Sequence, residues 1–432
     1  MIRVCDAIMG SGKTQSAITY MNERPDQRFV YITPYITETE RIVENCPDLR
    51  FRMPSDKIRD FCFSKVEHTR KLLEEGRNIA TTHASFKLYT QDMLENIQKY
   101  HYTLIIDEAV TMLSEVEDSP ADVQLFHDAG ILERREDGTL HFTGKAYDDD
   151  GALSSLYKLI KYNDVFRLAS ADDELIGDDD SDDKFFYWET SPAALSAFDS
   201  VFILTYLFDG QDMKYYLDAN HLSYQYIGVD RDADGTYRFS DTMRYYPEYL
   251  ARLDSTVRIW DHEKMNAIGK AKFALSKNWF KKNKDTEVAQ LKNNMRSYFK
   301  YHFGHLPSSC EMWSTYKSYE RITRPAGCSS GFVSCNLRAS NEYRDRCVLA
   351  YCVNLFINPF LKRYLTVGGL APSDDRYALS VMIQWIWRSA IRDGKPIDIY
   401  IPSRRMRDLL REWIKETQDE YFRFAEGGVQ NA

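Results

Sequence analysis

The sequence predicts an α/β protein made of two parallel-sheet domains in tandem, on three observations. Short runs rich in Val, Ile, Leu and Phe alternate with helical segments along the first half, the pattern of strands covered on both faces. A small-residue loop, AIMGSGKT at Ala7–Thr14, joins the first such run to the first helical segment. The alternation then restarts after DRDADGTY, a polar Gly/Asp stretch that reads as a link between two units.

Taken in order, Ile2–Cys5 is the first strand, followed by the loop and a helix running through Ile18 and Met21. Strands are expected again at Phe29–Thr33, Asn78–Thr82, Thr103–Asp107 and Val201–Thr205, with helices between them, and a further apolar strand at Tyr224–Val229. Between the fourth and fifth strands the pattern breaks. Residues 115–189 hold a hairpin-like ILERREDGTLHF, with Asp137-Gly138 as its turn, and the acidic run ADDELIGDDDSDD, which reads as a solvated loop. This segment is expected to be an insertion in a first domain of residues 1–229.

Residues 230–432 form the expected second domain. Its elements are a strand at Val257–Asp261, a helix over Lys264–Phe280, a second helix to about Phe299, and then the apolar runs EMWST, GFVSCN, CVLAY and IDIYIP. The Lys-rich stretch from Lys264 to Lys300 interleaves Phe273, Trp279, Phe280 and Tyr298. That mixture fits a nucleic-acid groove built from charge and stacking, and equally an amphipathic helix pair with a solvated basic face.

Composition narrows the function class. A length of 432 residues allows two or three domains, and 44% hydrophobic residues are ample for real cores. With 56 Lys+Arg against 65 Asp+Glu the net charge is −9, so the chain is not a polycation that coats nucleic acid indiscriminately, and any nucleic-acid surface must be local. No run approaches the roughly 18 apolar residues of a membrane span, and the start lacks the layout of a secretory signal. The eight cysteines are scattered without a CxxC pair, which suits a reducing compartment, and a cytoplasmic location is expected. A zinc set from His302, His305, Cys310 and Cys328 has a spacing that matches no familiar ribbon or finger.

The strongest chemical signal is the loop itself. Small residues at Gly10, Ser11 and Gly12 let backbone N–H groups approach phosphates, Lys13 neutralises the β/γ oxygens, and Thr14 ligates magnesium at a helix N-terminus. Ala7 stands where the strict pattern has Gly. The complement is LIIDEAV at Leu104–Val110, a buried strand ending in two carboxylates. Asp107 at the strand tip is placed to hold magnesium and Glu108 to polarise the attacking water. A third element, QWIWRSAIRDG at Gln384–Gly394, sets Arg388 and Arg392 four residues apart, on one face if the segment is helical, with Gln384 one turn earlier. Trp385 and Trp387 beside them are expected in the core.

Together these residues resemble the superfamily-2 helicases, and within them phage-type DEAD/DEAH-box helicases related to the herpesvirus origin-binding proteins. The resemblance covers nearly the whole chain. AIMGSGKT is similar to motif I, ITPYITETERI at Ile32–Ile42 to motif Ia, IATTHASF at Ile79–Phe86 to the next strand-contacting motif, DEAV to motif II, and ILTYLFDG at Ile203–Gly210 stands at motif III. In the second half MWSTYK at Met312–Lys317 resembles motif IV, SCNLRASNEYRD at Ser334–Asp345 motif V and QWIWRSAIR motif VI.

The resemblance implies two RecA-like domains with ATP in the cleft between them, Mg2+ as cofactor, and a nucleic-acid-stimulated ATPase acting as a helicase or translocase. It implies phosphate and nucleotide binding by Gly10, Ser11, Gly12, Lys13, Thr14 and Gln384, metal support by Thr14 and Asp107, and catalysis by Lys13, Glu108 and the trans-acting Arg388 and Arg392. Thr33, Pro34, Thr82 and His83 would touch the sugar–phosphate backbone, with Asn336 and Arg338 near the lobe interface. DNA, single-stranded or forked, is the expected partner in phage replication or recombination, alongside proteins of those processes, with RNA also open and no membrane.

Arg392 falls eight residues after Gln384 where the common pattern has seven, which leaves both arginines as candidates for the γ-phosphate. Tyr206 and Leu207 replace the usual small residue and threonine of motif III. Six residues precede Ala7, so no upstream adenine-reading glutamine motif is expected, and loose base selectivity follows. Two other readings remain: a terminase-like packaging ATPase, which calls for a nuclease sheet with clustered carboxylates, and an ATP-switched origin-binding protein, which calls for a DNA-reading module.

Overall fold

The computed structural model describes every residue except 56–63, 117–118, 136–138, 148–150, 164, 169–185, 243, 284–285, 304–306, 329–330, 336–341 and 431–432. The chain divides into two compact units. One comprises Met1–Ala7, Gly12–Met243 and Asn358–Pro372, and the other Ile8–Ser11, Arg244–Ile357 and Ser373–Ala432.

In the first unit the strands are, in chain order, β1 (Ile2–Asp6), β2 (Arg28–Thr33), β3 (Ile79–Thr82), β4 (Tyr102–Asp107), then β5 (Leu113–Glu115), β6 (Leu132–Arg134), β7 (Leu140–Phe142), β8 (Val165–Leu168) and β9 (Phe186–Glu189), and finally β10 (Ser200–Thr205), β11 (Tyr224–Arg231) and β12 (Tyr237–Ser240). Seven of them form one sheet in the order β12-β11-β1-β10-β4-β2-β3. All its pairings are parallel except the β11–β12 hairpin. The apolar runs make this possible because both faces are covered. The helix Lys13–Asn22 packs Ala17, Ile18 and Met21 against Phe29, Tyr31, Ile105, Phe202 and Leu204 in one cluster.

The stretch read as a link between units is instead the turn of that hairpin. Asp232 N–H donates to Thr236 O at 2.9 Å and Gly235 N–H to Asp232 O at 2.9 Å. Gly235 takes φ 88°, a conformation that favours glycine and closes the chain on itself.

Between β4 and β10 the described residues of the segment 115–189, expected to be an insertion, form a sheet with helices and a core of their own. β5 and β6–β9 make a five-stranded antiparallel sheet in the order β5-β9-β8-β7-β6. Helices Pro120–Asp128 and Ser154–Tyr162 close over it, and Val123, Phe126, Leu132, Leu140, Leu156, Ile160 and Trp188 form a core of its own. Ser119 and Asp122 cap the first of these helices reciprocally. The expected hairpin is present as β6–β7, while its Asp137-Gly138 turn and the acidic run lie outside the described residues. A helix from the second half of the chain, Pro359–Val367, belongs to this first unit, and its Tyr364 ring stacks on Tyr187 of β9 at 6.0 Å.

The second unit holds β13 (Val257–Ile259), β14 (Glu311–Ser314), β15 (Val348–Tyr351) and β16 (Ile397–Tyr400), all parallel, in the order β13-β16-β15-β14. GFVSCN, expected as a strand, contributes a single bridge from Phe332 to Trp313. The expected helix Lys264–Phe280 is broken into Glu263–Asn266, the turn Ala267–Gly269 and Lys277–Lys282. The break has local causes. Leu275 takes φ 64°, and a Cβ on Gly269 would lie 1.9 Å from Pro402 O, so the backbones there meet directly. Helix Glu287–Phe303 buries Leu291, Met295, Tyr298 and Phe299. Of the interleaved aromatics Phe280 and Tyr298 are therefore core, and Phe273 is exposed. Trp385 and Trp387 are buried as expected.

Among the described residues no helix is long and apolar enough to cross a membrane, the seven cysteines are free, and no group of three His, Cys, Asp or Glu is placed to hold a metal. His305 of the conceivable zinc set lies outside the described residues.

Candidate nucleotide site

Parallel strands deliver their C-terminal ends to one edge of a sheet, and ligands of open α/β sheets bind there. In the first unit β1 delivers the phosphate loop to that edge, β4 delivers Asp107 and Glu108, and β10 runs between them. The last carbonyls of β10 tie both neighbours. Thr205 O accepts from Ala7 N–H at 3.1 Å, and Leu204 O from Glu108 N–H at 2.9 Å. The loop and the carboxylates are thus held through one shared strand end.

Within the loop Gly10 and Gly12 take φ 77° and 91°, which side-chain-bearing residues adopt at a cost. Lys13 begins the helix, and its Nζ donates to Ala7 O at 2.5 Å, folding the ammonium back over the loop. Thr14 Oγ1 lies 3.3 Å from Asp107 Oδ2, donating to it. The loop hydroxyl and the strand-end carboxylate named from sequence are therefore brought together although 93 residues separate them.

Asp107 is held more tightly than sequence indicates. Tyr31 of β2 donates its hydroxyl to the same Oδ2 at 2.7 Å, and His83 Nε2 donates to the Asp107 backbone carbonyl at 3.0 Å. Burial, then the neighbouring Glu108 charge, push the Asp107 carboxyl up to about 6, while the Tyr31 hydrogen bond and Lys13 oppose them. Burial and the adjacent carboxylate also push the Tyr31 phenol well up, so it remains a donor. Glu108 takes φ 65°. A left-handed conformation at a non-glycine residue is strained, and the surrounding structure must hold it.

Asp6 is a site residue that sequence reading missed. From the end of β1 its carboxylate accepts Leu207 N–H at 2.8 Å and Phe208 N–H at 3.1 Å. Burial pushes its carboxyl up, against the pull of those two amides and Lys13. Leu207 takes φ 57°, and Gln211 accepts from Thr205 Oγ1 at 2.9 Å and donates to Tyr206 O at 2.8 Å, so the turn after β10 is tied to both β1 and β10. A polar residue closing an apolar strand was the available signal for Asp6. Nothing in the sequence sets Tyr31 apart from its apolar neighbours.

The residues expected to touch a sugar–phosphate backbone have varied settings. Thr33 is buried at the end of β2 and Pro34 half-buried beyond it. Thr82 Oγ1 caps the helix His83–Phe86 by accepting Ser85 N–H, and His83 is buried in its bond to Asp107. Asn336 and Arg338 lie outside the described residues.

In the second unit the shared helical face of Arg388 and Arg392 is corrected. Helix Asp374–Ile386 stops before both, Ser389 is extended at φ −80° and ψ −170°, and Arg392 sits in the separate turn Ala390–Asp393. Arg388 is buried at 4% exposure, Arg392 is exposed, and Gln384 is half-buried on the helix.

Residues 251–414, which contain β13–β16, match the family model described as the YonV C-terminal Rossmann-like domain. Over 417 residues the chain is 34% identical to the SPbeta prophage-derived protein YonV of Bacillus subtilis (strain 168), covering 96% of this chain and 98% of that protein. Among solved structures, Xpd4 of S. tokodaii is similar with 10% identity and a TM-score of 0.45, over 96% of this chain and 94% of that one. A structure named XPD_Helicase is similar with 9% identity and a TM-score of 0.39, over 95% of each chain.

Proposed function

The chain belongs to the YonV family, and from that premise we propose that it is an ATP-driven motor acting on nucleic acid, DNA foremost, as a helicase or translocase. The observation that carries the reading is the approach of Thr14 Oγ1 to within 3.3 Å of Asp107 Oδ2, with Glu108 adjacent and Lys13 beside the loop. Hard oxygen donors of this kind, one hydroxyl and one carboxylate, suit Mg2+, which takes its remaining ligands from phosphates and water. A carboxyl already pushed up to about 6 by burial is one that a neighbouring cation would draw back down. When bound, Mg2+ supplies charge neutralisation at the β- and γ-phosphate oxygens.

The chain's own residues account for the rest. Backbone amides of the loop and the Lys13 ammonium grip the phosphates, and Tyr31 and His83 fix the orientation of Asp107. The Glu108 carboxylate takes the proton of the attacking water as its oxygen bonds to the γ-phosphorus and the bond to ADP breaks, giving ADP and phosphate. Of the two arginines we assign the phosphate-sensing role to Arg392, the exposed one. The order of motif-like segments along both halves supports nucleic acid as the regulator of turnover, and a relative of prophage origin supports a place in phage replication or recombination.

The test is ATP hydrolysis by the full chain with single-stranded, forked and duplex DNA and RNA, alongside strand displacement on the same substrates. At least one nucleic acid should raise the rate, Lys13→Ala should abolish it, and Arg392→Ala should lower it by roughly a thousandfold. Hydrolysis that no nucleic acid stimulates would overturn the motor reading and leave an ATPase.

A further inference from the structure

The phosphate loop and Asp107 account for the phosphate end of a nucleotide and leave its base unassigned. We propose that the β11–β12 hairpin holds the base, a purine clamped between the Tyr237 ring and the Arg231 guanidinium. The inference rests on the nucleotide reading above and concerns a different part of the ligand.

Sheet order supplies the direction. β4, with Asp107, lies two strands from β1 on one side, and β12 lies two strands from β1 on the other. The Thr14–Asp107 contact marks the metal and terminal-phosphate side, so the nucleoside end leaves the loop toward β11 and β12. β11 is parallel to β1, so its C-terminal end, and with it the hairpin turn, stands at the same sheet edge as the phosphate loop.

At that edge Tyr237 lies directly against the loop. A Cβ on Gly12 would come within 2.2 Å of Tyr237 Cδ1, so glycine there is required by the tyrosine as well as by φ 91°. The ring is half-buried, and the exposed Arg231 places its guanidinium 5.4 Å from the ring centroid. A base between two flat groups needs about 3.5 Å on each side, about 7 Å in all, so Arg231 has roughly 2 Å to withdraw.

The hairpin is anchored as a platform must be. Arg238 pairs with Glu23, just past the C-terminal end of the loop helix, and with Asp232 in the turn at 2.8 Å. Phe239 stacks on Phe202 at 5.0 Å. A stacking clamp accepts any base and favours the larger ring, so it holds ATP and GTP alike and UTP less well.

Binding of ATP, GTP, UTP and inorganic tripolyphosphate to the full chain with Mg2+, by calorimetry, tests this. Tyr237→Ala should weaken ATP at least fivefold and leave tripolyphosphate within twofold, while Tyr237→Phe binds ATP as wild type. ATP affinity unchanged in Tyr237→Ala, with both ligands lost in Lys13→Ala, would overturn the clamp alone. Ligands that bind equally well to Lys13→Ala overturn the nucleotide reading and the clamp with it. Where Tyr237→Ala loses both ligands, Arg231→Ala on the exposed side decides: a fall in ATP but not tripolyphosphate supports the clamp, and no fall overturns it.

Discussion

Asp107→Asn should make the protein more stable while disarming it. The native carboxyl titrates at about 6 against an ordinary 3.8, a gap of roughly two units and so about 3 kcal/mol at 1.36 kcal/mol per unit. Because the folded value is the higher one, the native state holds its proton more tightly than the unfolded chain. The associated stability is complete below about pH 4, erodes between pH 4 and pH 6, and is missing above pH 6. An asparagine never ionises, and its amide oxygen still accepts from Tyr31. The variant should therefore melt higher than wild type at pH 8, by about 4–10 °C for a unit of this size, with the gap closing as the pH falls toward 4. Thermal unfolding at several pH values without nucleotide or divalent cation reads this directly. A gap of equal size at pH 4.5 and pH 8, or an asparagine variant less stable than wild type at pH 8, would refute the claim that burial of an ionised Asp107 costs folding energy. ATP with Mg2+ should raise the wild-type melting point by more than that of Asp107→Asn, which keeps the loop amides and Lys13 but loses a metal-holding carboxylate.

Other perturbations separate the remaining parts of the site. Glu108→Gln should retain ATP binding with turnover down at least a hundredfold, and Glu108→Gly should lose turnover equally without loss of stability, since glycine relieves the left-handed backbone at φ 65°; single-turnover kinetics and melting read the two effects. Gly12→Ala forces a methyl toward the Tyr237 ring at a positive φ, and a fall of a few kcal/mol in denaturant unfolding, with ATP binding weakened, is expected. Asp6→Asn leaves one of the Leu207 and Phe208 amides without its acceptor, and about 1–3 kcal/mol of stability should be lost, with faster hydrogen exchange at those two amides.

The strand–loop–helix opening, the strand ending in Asp107-Glu108 and the placement of nearly every parallel strand were legible in the sequence. Each is a local matter: apolar runs of strand length, small residues where backbone must approach a ligand, and a carboxylate at a strand tip. What failed to show was the partner chosen across distance. DRDADGTY reads identically as a linker or a hairpin turn, and only pairing of Tyr224–Arg231 with Tyr237–Ser240 makes it the latter. The spacing of Arg388 and Arg392 describes a shared face only if the helix continues, and the extended Ser389 ends that geometry.

Residue types and their order along the chain determined the chemistry on offer: a loop able to wrap phosphate, and carboxylates able to manage metal and water. Tertiary structure alone decided which groups meet. Tyr31 donates to Asp107 because β2 pairs with β4, Asp6 grips the turn after β10 because β10 pairs with β1, and Tyr237 reaches Gly12 because a hairpin was added to the sheet edge. Strand order is set by the burial of whole faces and by which edges find partners, a sum over many residues far apart in sequence, and no single segment carries it.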